Sequence, residues 1–405
     1  MRSSNAQLIK LFKRLLIANF LLSVSSSASW LYFSIYIYEI SKDILAVAYI
    51  WILSSILWMI VETIWGYLGD ITKRRCLLAI IATFFYTSLL FSFFIVREPY
   101  LLVILYTTAT SFLGGYIVSS NSLGTLLREE KHGEAVGFMS GIYALSSFIG
   151  NMIGSFSSVI DPSLKLLYSV VIIIGFLTIP VLFPISKAEK TITFEATPRE
   201  TIKGGYFKLL KDKRILLVVI STIVFNISTA FAWSYFGVYY VSSLKGSYFL
   251  YGLSNSAVSF IAAILSPVLG KFAERGILGL LAVFLYSFIA LYLYNLGIIY
   301  IQDPILILFF VSIPFYVGFS IAQYIVISNL TSDENRSRVI SIFHTSEFIG
   351  SLVGSLALLY LTYQLRALPL RELVVTVILY SIYFSIPALI IMLALIYFLV
   401  ATKRK

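Results

Sequence analysis

The sequence predicts an all-α integral membrane protein with twelve transmembrane helices, arranged as two pseudo-symmetric six-helix bundles. Three observations predict it. Apolar runs of about 20 residues, the length that carries a helix across a roughly 30 Å hydrocarbon core, recur along almost the whole chain. One long polar stretch interrupts them and leaves six runs on either side. Short motifs recur at matching places in the two halves.

Of 405 residues, 59% are hydrophobic and 12% charged, against about 45–50% apolar and about 25% charged in a soluble domain. So few charges cannot clothe a water-facing surface, and lipid is therefore the expected solvent. The runs lie at about 15–38, 44–69, 76–96, 100–127, 136–160, 166–186, 215–241, 247–270, 277–299, 304–330, 339–362 and 373–400. A closed barrel needs strands of about 10 residues that alternate apolar and polar. These runs are longer and apolar all round. The first follows Arg2, Lys10, Lys13 and Arg14, as a secretory leader would. Its apolar part is too long for a leader, no small-x-small cleavage site closes it, and it reads as a retained first helix.

Net charge is +11, which in a soluble chain would point to nucleic acid. Its placement points to topology instead. With the amino terminus in the cytoplasm, cytoplasmic loops hold 24 Lys and Arg and the opposite loops hold six: Lys42, Arg97, Lys165, Lys245, Arg366 and Arg371. That bias predicts a multi-pass protein of the cell membrane with both termini cytoplasmic, and no nucleic-acid partner.

Residue supply argues against catalysis. Cys76 is the sole cysteine, and His132 and His344 are the only histidines. Intrachain disulfides and His/Cys zinc centres are excluded. Neither a Gly-x-Ser-x-Gly elbow, a His-Glu-x-x-His pair nor a Gly-x-x-x-x-Gly-Lys-Ser/Thr phosphate loop occurs. The chain is expected to be neither an enzyme nor a primary pump, with no cofactor and no metal.

Residues 1–186 are expected to form the first bundle, 187–214 a charged cytoplasmic linker, and 215–405 the second bundle. An amphipathic helix at the membrane surface is expected in the linker at about 199–212. The halves repeat. Gly66 to Asp70 after the second run is answered by Gly270 to Glu274 after the eighth, with a glycine four residues before an acid in each. Phe148-Ile149-Gly150 with Gly154-Ser155 in the fifth run is answered by Phe348-Ile349-Gly350 with Gly354-Ser355 in the eleventh. Gly150, Gly154, Gly350 and Gly354 are expected at close helix contacts, where a missing side chain lets backbones approach.

The stretch Gly66-Tyr67-Leu68-Gly69-Asp70-Ile71-Thr72-Lys73-Arg74-Arg75 resembles the cytoplasmic loop signature of the major facilitator superfamily, Gly-x-Leu-x-Asp-Arg-x-Gly-Arg-Arg. It matches at Gly66, Leu68, Asp70, Arg74 and Arg75 and departs at Ile71 and Lys73. The degenerate copy Gly270, Glu274 and Arg275 sits where that family carries one. The resemblance extends over the whole chain in span number, linker and charge, and implies the family's fold. Physically, Gly66 would permit close helix approach. Asp70 would face the partly positive start of a helix, which the resemblance implies is the eleventh. Arg74 and Arg75 would complete a charge cluster that biases outward-open against inward-open states. A further family signature in the fifth helix, Gly-x-x-x-Gly-Pro-x-x-Gly-Gly, belongs to proton antiporters. This chain places Ser146, Gly150, Asn151, Gly154 and Ser155 there, keeping two glycines and lacking the proline.

The resemblance also implies that helices 1, 4, 7 and 10 line the solute cavity. Polar residues gather in those runs, and Asn19, Asn121, Asn226 and Gln323 are the candidate lining residues. Ser25, Ser29 and Ser228 belong to the same enrichment, which interhelical packing would also produce. Trp30, Tyr32 and Tyr36, with Trp233, Tyr235 and Tyr239, stand near helix ends and read as interfacial belt. Trp233 is also a cavity or outer-gate candidate. Trp51, Trp58 and Trp65 recur every seven residues and predict a packing stripe. Ionisable residues inside spans are functional candidates by default. Glu347 lies roughly 13 Å from the start of its helix, near the midplane. His344 is three residues earlier on the same face, and Glu62 lies two turns before Asp70. All three are candidates for proton coupling. The deep interiors of the spans hold no Lys or Arg, which disfavours anionic solutes.

The expected function is a secondary transporter that moves a small neutral or cationic, partly apolar solute by alternating access, with proton-coupled efflux as the candidate cycle. A sugar or metabolite uniporter or symporter is the alternative, and a transport-inactive receptor or scaffold stands in another class. The expected partners are that solute, protons as the candidate coupling ion, and the lipid bilayer around a monomer.

Overall fold

The computed structural model describes residues 5–127, 132–189, 211–273, 275–330 and 333–403, and every regular element among them is helical. The long helices are α1 (Asn5–Ser41), α2 (Ile44–Thr72), α3 (Arg75–Leu90), α4 (Pro99–Leu127), α5 (His132–Ile160) and α6 (Lys165–Glu189). They continue as α7 (Lys213–Trp233), α8 (Tyr248–Ala273), α9 (Ile277–Tyr300), α10 (Phe315–Leu330), α11 (Asp333–Leu365) and α12 (Leu370–Lys403). Short helical pieces follow α3 at Ser92–Ile95 and α7 at Phe236–Val238, the latter running into a π-helical turn at Tyr239–Ser243. Another, Leu306–Val311, precedes α10. The linker helix expected at about 199–212 falls outside the described residues as far as 210. So do all of Glu274 and the side chains of Asp70 and His344.

Several helices start on an acid, for an electrostatic reason. The first amides of a helix lack intrahelical partners and carry a partial positive charge, which a carboxylate satisfies. Asp43 accepts from Leu45 N at 2.9 Å ahead of α2. Glu98 accepts from Tyr100 N at 3.1 Å and from Leu101 N at the start of α4, where Pro99 takes the first helical position that needs no donor. Asp161 accepts from Ser163 N at 3.0 Å and Leu166 N at 2.8 Å ahead of α6. Asp303 accepts from Ile305 N at 2.8 Å and Leu306 N at 2.9 Å.

Among the described residues, ten helices are long and apolar enough to cross a membrane. They correspond to ten of the twelve expected spans. α1 and α5 stand outside that set. Both are rich in serine, with Ser23, Ser25, Ser26, Ser27 and Ser29 on one and Ser146, Ser147, Ser155, Ser157 and Ser158 on the other.

The chain divides into two compact units, Met1–Arg199 with Ser247–Phe260, and Glu200–Gly246 with Ile261–Lys405. In the first, α1 packs along α5 and α6, and α4 lies against both α2 and α3, with α3 also touching α6. In the second, α7 packs along α11 and α12, and α9 along α10 and α12.

Buried polar groups tie each unit internally. Ser25 Oγ on α1 donates to Val171 O on α6 at 2.9 Å and lies 3.3 Å from Tyr86 OH on α3. Tyr168 OH on α6 donates to Ser29 O at 3.2 Å. In the second unit Ser228 Oγ on α7 donates to Ser381 O on α12 at 2.7 Å, and Asn295 Nδ2 on α9 donates to Ser381 Oγ at 3.1 Å. These serines are buried inside their units, so part of the polar enrichment of helices 1 and 7 is interhelical bonding.

Tyr32, Tyr235 and Tyr239 are buried as well, which corrects their reading as interfacial belt. Tyr235 OH pairs with Thr362 Oγ1 at 2.7 Å and Tyr32 OH donates to Ser155 Oγ at 3.4 Å. For Tyr32 and Tyr235, interior partners for the hydroxyls, absent from the sequence pattern, account for the difference.

Candidate functional site

Two seams of small residues set the helices that carry the candidate residues. On α5, a Cβ added to Gly150 would stand 2.5 Å from Val24 O and 3.1 Å from Ser27 Cβ of α1. On α11, a Cβ added to Gly350 would stand 2.5 Å from Ile223 O and 2.8 Å from Asn226 Cβ of α7. One turn further, a Cβ at Gly154 would meet the Tyr32 ring at 2.5 Å, and one at Gly354 would meet Ala230 Cβ at 2.8 Å. No real Cβ tolerates 2.5 Å from a backbone carbonyl, so Gly150 and Gly350 are positions where only glycine lets the backbones approach.

Around the second seam the structure joins Gln323, Thr222 and Asn226, with Glu347 and Trp233 further along the same helices. Gln323 on α10 is fully buried, and its Nε2 donates to Thr222 Oγ1 on α7 at 2.6 Å. Its Oε1 has no hydrogen-bond partner among the described residues. Asn226, one turn beyond Thr222, donates Nδ2 to Thr222 O at 3.0 Å and lies against Gly350. Glu347, partly exposed, is one turn before Gly350 on α11. Trp233, two turns beyond Asn226 and 43% exposed, packs on Phe315 and Tyr316 of α10, with ring centroids 5.3 and 5.7 Å away. A carboxylate, two amides and an indole are thus carried by α7, α10 and α11 without any described Lys or Arg beside them in the chain.

In the first unit the remaining candidates lie on or against residues 114–121 of α4. Tyr116 OH on α4 donates to Asn19 Oδ1 on α1 at 2.6 Å, whereas Asn121 is exposed further along α4. Glu62 lies on the α2 face that meets α4, where a Cβ on Gly114 would stand 2.8 Å from Glu62 Cγ and 3.2 Å from Trp58. Gly115 makes the same room for Trp65, whose ring edges Phe112 at 5.4 Å. The tryptophan stripe of α2 is packed at Trp58 and Trp65, with Trp51 meeting Trp30 edge-on at 5.5 Å. Close approach of α2 and α4 therefore lies at Gly114 and Gly115. A Cβ on Gly66 would meet Val118 at an ordinary 3.8 Å, and one on Gly270 would meet nothing.

The profile of the Major Facilitator Superfamily matches residues 15–355 of the chain. The chain belongs to that superfamily. Solved structures of superfamily-like shape agree with it, at identities that speak for fold alone. The nucleoside transporter NupG matches at 15% identity and TM-score 0.72, over 94% of this chain and 99% of that one. A bacterial homologue of the human lysosomal transporter Spinster, inward-facing and unoccupied, matches at 13% and 0.72 over 98% of each. A bacterial homologue of the iron transporter ferroportin, inward-facing, matches at 14% and 0.65 over 96% and 99%. No protein of curated function matches the sequence. Membership in the superfamily makes the chain a multi-pass membrane transporter of small molecules, not an enzyme.

The superfamily loop signature occupies the end of α2 and the start of α3. Lys73 closes α2 in the left-handed region, φ 56°, with its N–H on Gly69 O at 3.2 Å. Its position in the signature is that of a glycine, and left-handed geometry is what a glycine there would supply without strain. Arg74 precedes α3 with no side-chain cap. In the second copy Arg275 is exposed over the Phe272 ring at 5.2 Å, and Gly276 has φ 100°. Sequence reasoning missed Glu189. The residue falls within the expected linker, whereas it is the buried last residue of α6 and accepts from two backbone amides of α3. The one cue in the chain is position, an acid three residues past the end of an apolar run.

Proposed function

We propose that this superfamily member is a twelve-span secondary transporter built as two six-helix bundles, 1–186 and 215–405. On this reading it moves a small neutral or cationic, partly apolar solute by alternating access. The observation that carries the solute class is the grouping of Gln323, Asn226, Trp233 and Glu347 on α7, α10 and α11. Amides orient, an indole supplies apolar area and a π face, and a carboxylate favours cations over anions. The matched helix pairings of the two units support the two-bundle reading, α1 with α5 and α6 in one and α7 with α11 and α12 in the other.

Glu347 is the proposed protonation site of a proton-coupled cycle, with His344 and Glu62 as secondary groups. Asp70, Arg74, Arg75 and their repeat counterparts Glu274 and Arg275 form the proposed gate. Both termini would be cytoplasmic and the working unit a monomer. In reconstituted vesicles, an amphiphilic amine such as a lipophilic dye cation should be driven by an imposed pH gradient. Flux that ignores the gradient would remove the coupling.

A second reading is favoured by Gln323 Oε1, a buried acceptor without a partner among the described residues. A hydroxyl-bearing neutral solute, carried by uniport or symport, would satisfy it. Uptake of neutral polyols or nucleosides, with no response to pH, would select this reading.

A further inference from the structure

α3 starts badly by local rules. Its capping position is Arg74, which offers no acceptor, and the preceding residue Lys73 is left-handed. The first amides of α3 would be orphaned at a helix end flanked by Lys73, Arg74 and Arg75. They are satisfied from a residue more than a hundred positions away. Glu189 Oε1 accepts from Arg75 N at 2.8 Å and Oε2 from Cys76 N at 2.9 Å, so both carboxylate oxygens are spent on one helix terminus. The carboxylate is buried at 7% exposure, where such bonds are strong and costly to leave unmade.

Two further contacts fix the same corner. Cys76 Sγ donates to Leu182 O of α6 at 3.4 Å, and Trp65 Nε1 of α2 donates to Leu78 O of α3 at 3.2 Å. The corner therefore has three helices and one carboxylate, and the chain leaves it directly into residues 190–210.

We propose that Glu189 is the positioning residue of the superfamily loop: it clasps the start of α3 to the end of α6 and thereby fixes residues 70–75 in register with the chain entering the linker. The clasp supplies from α6 the cap that the loop's own sequence withholds, and it opposes the strain of a left-handed Lys73. A loop held this way is set by the far end of its own bundle, so displacement of residue 189 re-aims Arg74 and Arg75. The gating consequence rests on the alternating-access reading above, whereas the clasp does not.

Cys76, the only thiol, lies under the clasp and is fully buried, which makes the unmodified protein its own probe. Full-length protein in lipid vesicles is labelled with N-ethylmaleimide, and amide exchange is followed in peptides covering 70–80. Glu189→Ala should speed labelling of Cys76 by about tenfold or more, because two charge-assisted bonds are lost, and should deprotect the amides of Arg75 and Cys76. Glu189→Gln, which keeps one acceptor oxygen, should fall between the two. Ser25→Ala removes a buried bond far along the same unit and should leave both readouts at the wild-type level. Labelling and exchange in both Glu189 variants that match wild type, or that rise no more than in Ser25→Ala, would overturn the clasp. Neither readout needs a solute, so its failure and failure of the transport reading are separate results.

Discussion

Gln323 and Thr222 meet at 2.6 Å in the second unit, amide nitrogen to hydroxyl, and both are buried. The pair links α10 to α7 through one short bond and leaves the other end of the amide open to a donor. Thr222 Oγ1 also donates to Val218 O at 2.7 Å, so its hydrogen is committed and the direction of the bond from Gln323 is fixed.

Removing either partner should therefore cost little stability, and removing Gln323 should also cost function. Gln323→Leu and Thr222→Val are each expected to lower unfolding free energy by about 0.6 kcal/mol, with coupling of similar size in the double mutant. Thermal unfolding in detergent checks this. Solute affinity should fall in Gln323→Leu and be preserved in Thr222→Val.

The glycine seams should respond to volume. Gly150→Leu and Gly350→Leu force a side chain into a backbone carbonyl and should each destabilise by about 1–3 kcal/mol or prevent folding. Gly270→Ala, which would meet nothing, should be neutral in the same unfolding assay.

Acid should loosen the α5–α6 connection in a defined window. Hydrogen bonds from Ser163, side chain foremost, and from Leu166 hold the Asp161 carboxyl below its usual value of 3.8. A depressed folded value means the contribution is complete above the unfolded value and disappears as pH falls through the folded one. Asp161→Asn should lower the unfolding temperature at neutral pH, and the gap to wild type should close below about pH 3.8. A gap that widens on acidification would refute the assignment.

Coupling should reside in one carboxylate. Glu347→Gln is expected to abolish acceleration by a pH gradient while leaving solute exchange across vesicles, measured as counterflow. Gradient dependence that survives the substitution would move the role elsewhere, with Glu62→Gln as the next measurement.

Much of this architecture can be read from the chain because lipid imposes a simple rule: apolar runs of the right length become helices, and charged residues mark their ends. The Phe-Ile-Gly repeats of α5 and α11 were visible for the same reason, since few residues let two backbones touch. Gly114 and Gly115 were harder, because their meaning depends on which large residues of α2 arrive opposite them. Gly66 shows the converse, a signature glycine whose surroundings are loose. Glu189 was hidden because its partners are main-chain amides, which have no side-chain letter. Tyr86 and Tyr168 were hidden by their setting, since a hydroxyl in a greasy run gives no hint of the serine waiting on another helix. The candidates on α7, α10 and α11 were nameable individually, but the bonding of Gln323 to Thr222 follows from helix packing.

The seam of α5 on α1 and the seam of α11 on α7 touch main-chain oxygen, at Val24 and Ile223. Such a contact is blind to what those two residues are. Drift at positions 24 and 223 leaves the joint intact so long as the opposite glycines persist.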